Sequence, residues 1–356
     1  MEASIGRKTK ASVGTPAPNG AAADAFPFAG RPAWIVTDGK AASEMQCVGV
    51  ALALGAEPIV KRVHPRFPFR LLAPWGGPSP AARFGQPGAD FSPPWPPIVF
   101  ATGRQSIPYL RALRAAAGSG TYTVVLQDPR TGTATADLIC VPDHDRLRGP
   151  NVIATLTAPH VFTASRLAAL RADPPPAIAG LPHPRVAVLL GGPNDVYRFG
   201  RGAIARLTAA LKSLADLGAS FMVTPSRRTP PALVEAVAAA TAQAPRLLWD
   251  GKGENPYASF LANADTLIVT ADSVNMASEA SATGRPVHVF EPDGGSSKFR
   301  SFHEDLRRYG ATRPLSDIFT RLEGWTYAPL DSAAEIAREI ERRWSARQAT
   351  SIGGST

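Results

Sequence analysis

The sequence predicts an α/β protein built from two doubly wound, Rossmann-like domains that face each other across a cleft. Three observations carry that prediction. Short apolar strand patterns alternate with helical patterns, as parallel sheets with right-handed crossovers require. The alternation breaks at a proline-rich stretch, residues 173–184, and then restarts. Most strand patterns end in polar turns, where open parallel sheets place their ligands. A chain of 356 residues exceeds one ordinary domain and suits two.

Residues 1–30 are rich in alanine, glycine and proline without a continuous hydrophobic segment, and are expected to form a disordered tail. The first domain is expected to span 31–172, with strands at 33–37, 58–63, 98–101, 122–126, 138–141 and 152–156. Its helices are expected at 43–54, 106–117 and 163–171. In the first of these Ser43 suits an N-cap, and Met45, Val48 and Leu52 fall on one apolar stripe. Residues 64–97 crowd prolines, arginines and aromatics together, among them Arg66, Phe67, Arg70, Trp75 and Trp95. So long a stretch without regular structure reads as a functional loop. Its composition suits peripheral contact with an anionic membrane or a lipid-linked acceptor, and equally an ordinary surface loop.

Residues 173–184 are expected to be a linker stiffened by proline. The second domain is expected to span 185–330, with strands at 185–190, 220–224, 246–249, 266–269 and 286–290. Pro231 opens one of its helices, in the first turn where proline is tolerated. Another helix follows Asn275 and stops before Gly284. A C-terminal helix at 331–347 and a disordered tail at 348–356 complete the expectation.

Composition narrows the function. The formal net charge of +9 suits phosphate-bearing ligands or an anionic surface. No run of five basic residues and no nucleic-acid-binding motif occurs, so nucleic acid is not an expected partner. The two cysteines, Cys47 and Cys140, form neither a C-x-x-C pair nor a disulfide framework and fit a reducing cytoplasm, with peripheral contact to an inner membrane left open. The longest apolar run, 48–56, is too short to span a bilayer.

The candidate site residues follow strands. Gly191 and Gly192 would let backbone amides approach a phosphate, or simply make a tight turn. Asn194 closes that turn. Thr224, Ser226 and Arg227 offer hydroxyl and guanidinium donors at the next strand end, in a loop that also suits a helix cap. Asp272, Ser273, Asn275, Met276, Ser278 and Glu279 lead into a helix whose N-terminus favours an anion. Glu279 lies one turn along, where a carboxylate could accept from two ribose hydroxyls. Asp38 and His144 are the candidate catalytic bases; His144 is flanked by Asp143 and Asp145, which suits either a tuned base or a solvated histidine. No Walker, G-x-S-x-G or H-E-x-x-H pattern is present.

Taken together, Thr37-Asp-Gly-Lys40, Ala101-Thr-Gly-Arg104, Gln127-Asp-Pro-Arg130 and Val141-Pro-Asp-His-Asp145 resemble, in order, the mitochondrial-fission family named for elongated mitochondria. Leu190-Gly-Gly-Pro-Asn194, Thr224-Pro-Ser-Arg-Arg-Thr-Pro230, Asn255-Pro-Tyr257 and Val269 to Ala280 continue the match, over about residues 33–316. That family comprises plant organelle-division factors and many bacterial proteins. The C-terminal half also resembles glycosyltransferase-B enzymes of cell-envelope synthesis, in which a Ser-Glu pair before Gly-x-Pro places the glutamate on the nucleotide ribose. Ser278-Glu279 and Gly284-Arg-Pro286 stand in that relation here. The resemblance implies a glycosyltransferase-B fold and a nucleotide-diphosphate sugar as co-substrate, with no metal and no other cofactor, and transfer to a cell-envelope acceptor. It equally implies an alternative: a non-catalytic adaptor that recruits a protein partner on the same scaffold.

Overall fold

The computed structural model describes residues 27–353; residues 1–26 of the tail expected at 1–30, and the last three residues, lie outside them. The first sheet is formed by β1 (Pro32–Thr37), β2 (Glu57–Arg62), β3 (Ile98–Thr102), β4 (Tyr122–Leu126), β5 (Leu138–Pro142) and β6 (Val152–Thr155). It is fully parallel in the order β2-β1-β3-β4-β5-β6. Its crossovers carry α1 (Ala41–Ala53), α2 (Phe69–Leu72) and α3 (Ile107–Ala117). β3 and β4 are buried along their whole length, which explains why they read as unbroken apolar runs rather than alternating ones.

The chain then passes through α4 (Ala164–Ala172) and α5 (Pro176–Ala179) into β7 (Arg185–Leu190). After a short strand β8 (Tyr197–Arg198) come α6 (Arg201–Asp216), β9 (Ser220–Pro225), α7 (Pro231–Ala240), β10 (Arg246–Leu248), α8 (Tyr257–Asn263), β11 (Thr266–Thr270) and α9 (Val274–Ser281). The domain finishes with β12 (Val287–Phe290), β13 (Asp293–Gly294), α10 (Ser297–Tyr309) and β14 (Thr312–Pro314), and the chain with α11 (Ser332–Gly353). The second sheet is also parallel, in the order β10-β9-β7-β11-β12-β14, and β8 and β13 form a small antiparallel ribbon. This is the doubly wound pair of the glycosyltransferase-B type.

Several details differ from the sequence expectation. α1 rests on its sheet through Cys47, Val50, Ala51 and Leu54, while Met45 is 46% and Leu52 49% exposed. A different side of the helix meets the segment after β6, where a Cβ at Gly49 would lie 2.5 Å from the His160 carbonyl oxygen. Its flanking residue is Lys40, with no side-chain cap from Ser43. Residues 27–30 form a turn, and Phe28 is fully buried against Trp344 with ring centroids 5.2 Å apart, so order begins before residue 31.

The crossing between domains also comes earlier than expected. Phe162 and Leu167, with Ile178 and Leu181 of the proline-rich stretch, lie in the core of the second domain. Arg171 Nε donates to the Ala262 carbonyl at 2.8 Å, and Asn263 Nδ2 donates to the Leu170 carbonyl at 3.2 Å. Periodicity shows that a helix has an apolar face but not which sheet it covers. The chain returns at its end. α11 inserts Ala333, Ile336, Ala337 and Ile340 into the first domain's core, and its helical backbone continues to Gly353. Among the described residues no helix is long and apolar enough to cross a membrane.

Candidate functional site

Each sheet reverses its winding at one point: between β1 and β3 in the first, and between β7 and β11 in the second. In open parallel sheets the crevice beyond such a point is where ligands bind. The candidate residues gather at both.

At the first, Asp38 follows β1 and packs on Gly103, which follows β3 with φ +84°. A Cβ at Gly103 would lie 2.5 Å from the Asp38 carboxyl carbon. Lys40 Nζ sits 3.7 Å from Asp38 Oδ2, and Asp38 Oδ1 is buried without a hydrogen-bond partner among the described residues.

At the second, the polar groups satisfy one another. The Gly191 amide donates to Thr270 Oγ1 at 2.8 Å and the Gly192 amide to Asp272 Oδ2 at 2.9 Å. Thr270 donates to Asp272 Oδ1 at 2.6 Å, and Arg228 Nη2 lies 3.2 Å from Oδ2. Asp272 is 3% exposed, and burial raises its pKa against the pull of these donors. Asn194 folds its own turn, accepting from the amides of Val196 and Tyr197. Ser226 is bonded to Thr229, and Thr224 Oγ1 is buried without a hydrogen-bond partner among the described residues. Ser273 caps α9 by accepting from the Met276 amide at 3.3 Å. Ser278 Oγ, fully buried, donates to the Val274 carbonyl and accepts from the Ala158 amide at 3.0 Å, tying the two domains together. Met276 packs against the second domain's core.

Between the domains lies a cleft of about 750 Å³. Five basic side chains border it, Lys40, Arg104, Arg130, Arg146 and Lys298, against two carboxylates, Asp128 and Asp145. Lys298 bridges the domains to Asp145 at 2.9 Å, and Gln46 Nε2 donates across to Asn275 Oδ1 at 3.0 Å. Of the residues expected at the site, His144 and Asn275 border this cleft. His144 Nε2 is buried with no hydrogen-bond partner among the described residues, and its ring meets Phe302 edge-on at 6.3 Å. Burial first, then the Lys298 ammonium, lowers its pKa, so the imidazole is neutral near pH 7. Among the described residues no group of three His, Cys, Asp or Glu could hold a metal ion.

Glu279 does not border the cleft. It is half-buried, and its Oε2 accepts from the Tyr257 hydroxyl at 2.5 Å. Burial raises its pKa from 4.5 to about 7, with the Tyr257 bond pulling the other way.

A family model described as Mitochondrial fission ELM1 matches residues 41–344. The chain belongs to the mitochondrial fission ELM1 family. It is 30% identical over 276 residues to the mitochondrial fission protein ELM1 of Arabidopsis thaliana, covering 71% of this chain and 65% of that one. It is 32% identical over 161 residues to the uncharacterized protein RP120 of Rickettsia prowazekii, covering 44% and 45%. The chain therefore spans just under two thirds of the first relative's length and under half of the second's. The UDP-GlcNAc 2-epimerase structure from Methanocaldococcus jannaschii shares the fold at 9% identity, with a TM-score of 0.50 over 87% of this chain and 99% of that one.

Several residues at these sheet ends escaped sequence reading. Arg228, rather than its neighbour Arg227, reaches Asp272; adjacent arginines in a loop carry no sign of which one turns inward. Tyr257 stood in an Asn-Pro-Tyr motif without an assigned role. Lys298 and Phe302 lie on α10, which carries no motif and is placed in the cleft by tertiary packing alone. The cap of that helix, Ser296, accepts from the Phe299 amide at 3.4 Å. Ser296→Ala is expected to lower stability by about 1 kcal/mol, measured as a small fall in thermal midpoint; an unchanged midpoint would show that the long bond is ineffective.

Proposed function

We propose that this chain binds a nucleotide-diphosphate sugar between its two sheets and transfers the sugar to an acceptor hydroxyl. The supporting observation is the interdomain cleft, with its excess of cations facing the first turn of α9 at Asn275. In this reading Arg130, Arg104 and Lys298 hold the diphosphate, since guanidinium groups suit phosphate oxygens. They also stabilise the departing diphosphate without a metal. Neutral His144, which borders the cleft and whose buried Nε2 has no hydrogen-bond partner among the described residues, takes the acceptor proton; Asp38 is the other candidate base. The glycosyltransferase-B resemblance gives Glu279 the ribose role; it lies outside the cleft on the Tyr257 hydroxyl, so in this reading the nucleoside extends from the cleft along α9 to reach it. Gly191, Gly192, Asn194, Thr224, Ser226, Asp272, Ser273, Met276 and Ser278 form and fix the wall from which α9 projects, and Arg227 stands exposed beside it.

Calorimetric titration with uridine and guanosine diphosphates and their sugars tests this reading. One nucleotide is expected to bind, with Arg130→Ala and Asn275→Ala each weakening it on the order of tenfold. His144→Ala is expected to keep binding and to lose roughly 100-fold or more in turnover. No binding by any nucleotide, or binding indifferent to both substitutions, would overturn it.

One observation favours the adaptor alternative. The amides of Gly191 and Gly192 and the Asp272 carboxylate already satisfy each other, leaving that wall complete without a ligand. A stable stoichiometric protein complex in the absence of nucleotide binding would select it; product release would eliminate it.

A further inference from the structure

The geometry points to residues 66–76 as a seat for the surface of an anionic lipid bilayer. This stretch, α2 and its flanks, holds large apolar side chains in solvent: Phe67 is 79% exposed, Leu71 63%, Leu72 50% and Trp75 63%. No residue of α2 is buried. Exposed apolar patches of this kind mark interaction sites in proteins that otherwise cover their cores.

The stretch is built to hold those tips outward. Arg104 Nη2 donates to the Arg70 carbonyl at 3.0 Å, and Arg111 Nη1 donates to the Trp75 carbonyl at 2.9 Å. The Trp75 amide donates to the Leu72 carbonyl at 3.0 Å, and Ala73 is fully buried beneath. The backbone is thus clamped by arginines from the first domain while its side chains project.

Charge selects the occupant. From residue 58 to 89 the chain carries five basic residues, Lys61, Arg62, Arg66, Arg70 and Arg83, and no Asp or Glu. Arg66 and Arg70 are exposed among the apolar tips. A second hollow of about 720 Å³ lies beside Trp75 and is bordered by Arg111, Arg114 and Arg130. Arg130 also borders the interdomain cleft, so that side chain lines both hollows. Apolar tips entering the acyl boundary, a tryptophan at headgroup level and arginines on lipid phosphates are the features of an interfacial anchor. The negative potential of an anionic leaflet adds to each cation near it. This inference stands apart from the nucleotide reading, because vesicle binding needs no nucleotide.

Co-sedimentation of the full chain with phosphatidylglycerol-containing and phosphatidylcholine vesicles tests it. Binding is expected to the anionic vesicles only and to weaken as salt rises. Arg66→Gln with Arg70→Gln should weaken it roughly 25-fold, about fivefold for each charge removed. Phe67→Ser and Trp75→Ser should each cost on the order of tenfold, with circular dichroism and thermal midpoint unchanged because these side chains are exposed. Brominated acyl chains should quench tryptophan fluorescence in the wild type and quench it less in Trp75→Phe. Soluble glycerol phosphate should not displace the protein; displacement would show that the arginines take free phosphate and would overturn a bilayer seat. Equal binding to both vesicles, wild-type binding by these variants, or no binding to either vesicle while a protein partner is held through Phe67 and Trp75 would each overturn it as well.

Discussion

Gly192→Ala is expected to destabilise the second domain by about 3 kcal/mol, the upper end of what overpacking costs. A methyl group there would lie 2.1 Å from the Arg228 carbonyl oxygen and 2.3 Å from its carbon. Both are backbone atoms, so no side-chain rotation relieves the clash. The loop cannot retreat freely either. Thr229 Oγ1 donates to the carbonyls of Leu190 and Gly191 and accepts from the Ser226 amide, clamping the turn after β9 onto the turn after β7. Moving Gly192 instead would break its bond to the buried Asp272 carboxylate. Gly202→Ala supplies the contrast. It lies inside α6 with nothing within 4 Å of the added carbon, and is expected to stabilise by roughly 0.5–1 kcal/mol through a less flexible unfolded chain. Urea unfolding of both variants checks the pair; equal midpoints would show that the loop is softer than its hydrogen bonds imply.

That clash bears on how much of the molecule was legible in the sequence. A Gly-Gly pair after a strand reads equally as a phosphate loop or a tight turn, because both need the missing side chain. What separates them is the partner of each amide, and Thr270 and Asp272 lie some 80 residues away. The strands and most helices were legible because burial imposes a period on local sequence. The polar turns that close the strands were legible too, but where the winding reverses was not, because strand order is set by pairing across the sheet. The side on which α4 packs, and the return of α11 to the first domain, were not. Both depend on which apolar surface remains uncovered once the sheets have formed. Bulk likewise misled in α1, where Met45 and Leu52 look like core but Cys47, Val50, Ala51 and Leu54 meet the sheet. The family motifs located the cleft better than any single residue did, but they left its cations unranked. Arg104, Arg130 and Lys298 look like every other arginine or lysine until the fold brings them to one edge.

Glu279 should make the protein's stability fall between pH 4.5 and about 7. Its carboxyl is raised from 4.5 in the unfolded chain to about 7 in the fold, chiefly by burial. Below pH 4.5 both states hold the proton and the contribution is fully present. Between the two values the unfolded chain releases its proton while the native carboxyl keeps it, so each pH unit favours unfolding; above about 7 both are ionised and the slope ends. The loss over that window is at most roughly 3 kcal/mol, reduced by whatever solvent reaches the half-buried group. Glu279→Gln keeps a carbonyl acceptor for the Tyr257 hydroxyl but has no proton to lose. Subtracting the variant's unfolding free energy from that of the wild type at each pH isolates this group from the other titrating residues. The difference should shift against the wild type as pH rises through the window, and a flat difference would place the carboxyl in water. The same proton separates stability from binding. A ribose acceptor works best as an anion, so affinity for a nucleotide should rise through pH 7 in the wild type and lose that rise in Glu279→Gln. Fold stability and ligand affinity would then run in opposite directions at one side chain, which is the behaviour of a buried carboxylate whose ionised form is kept for a ligand rather than for the fold.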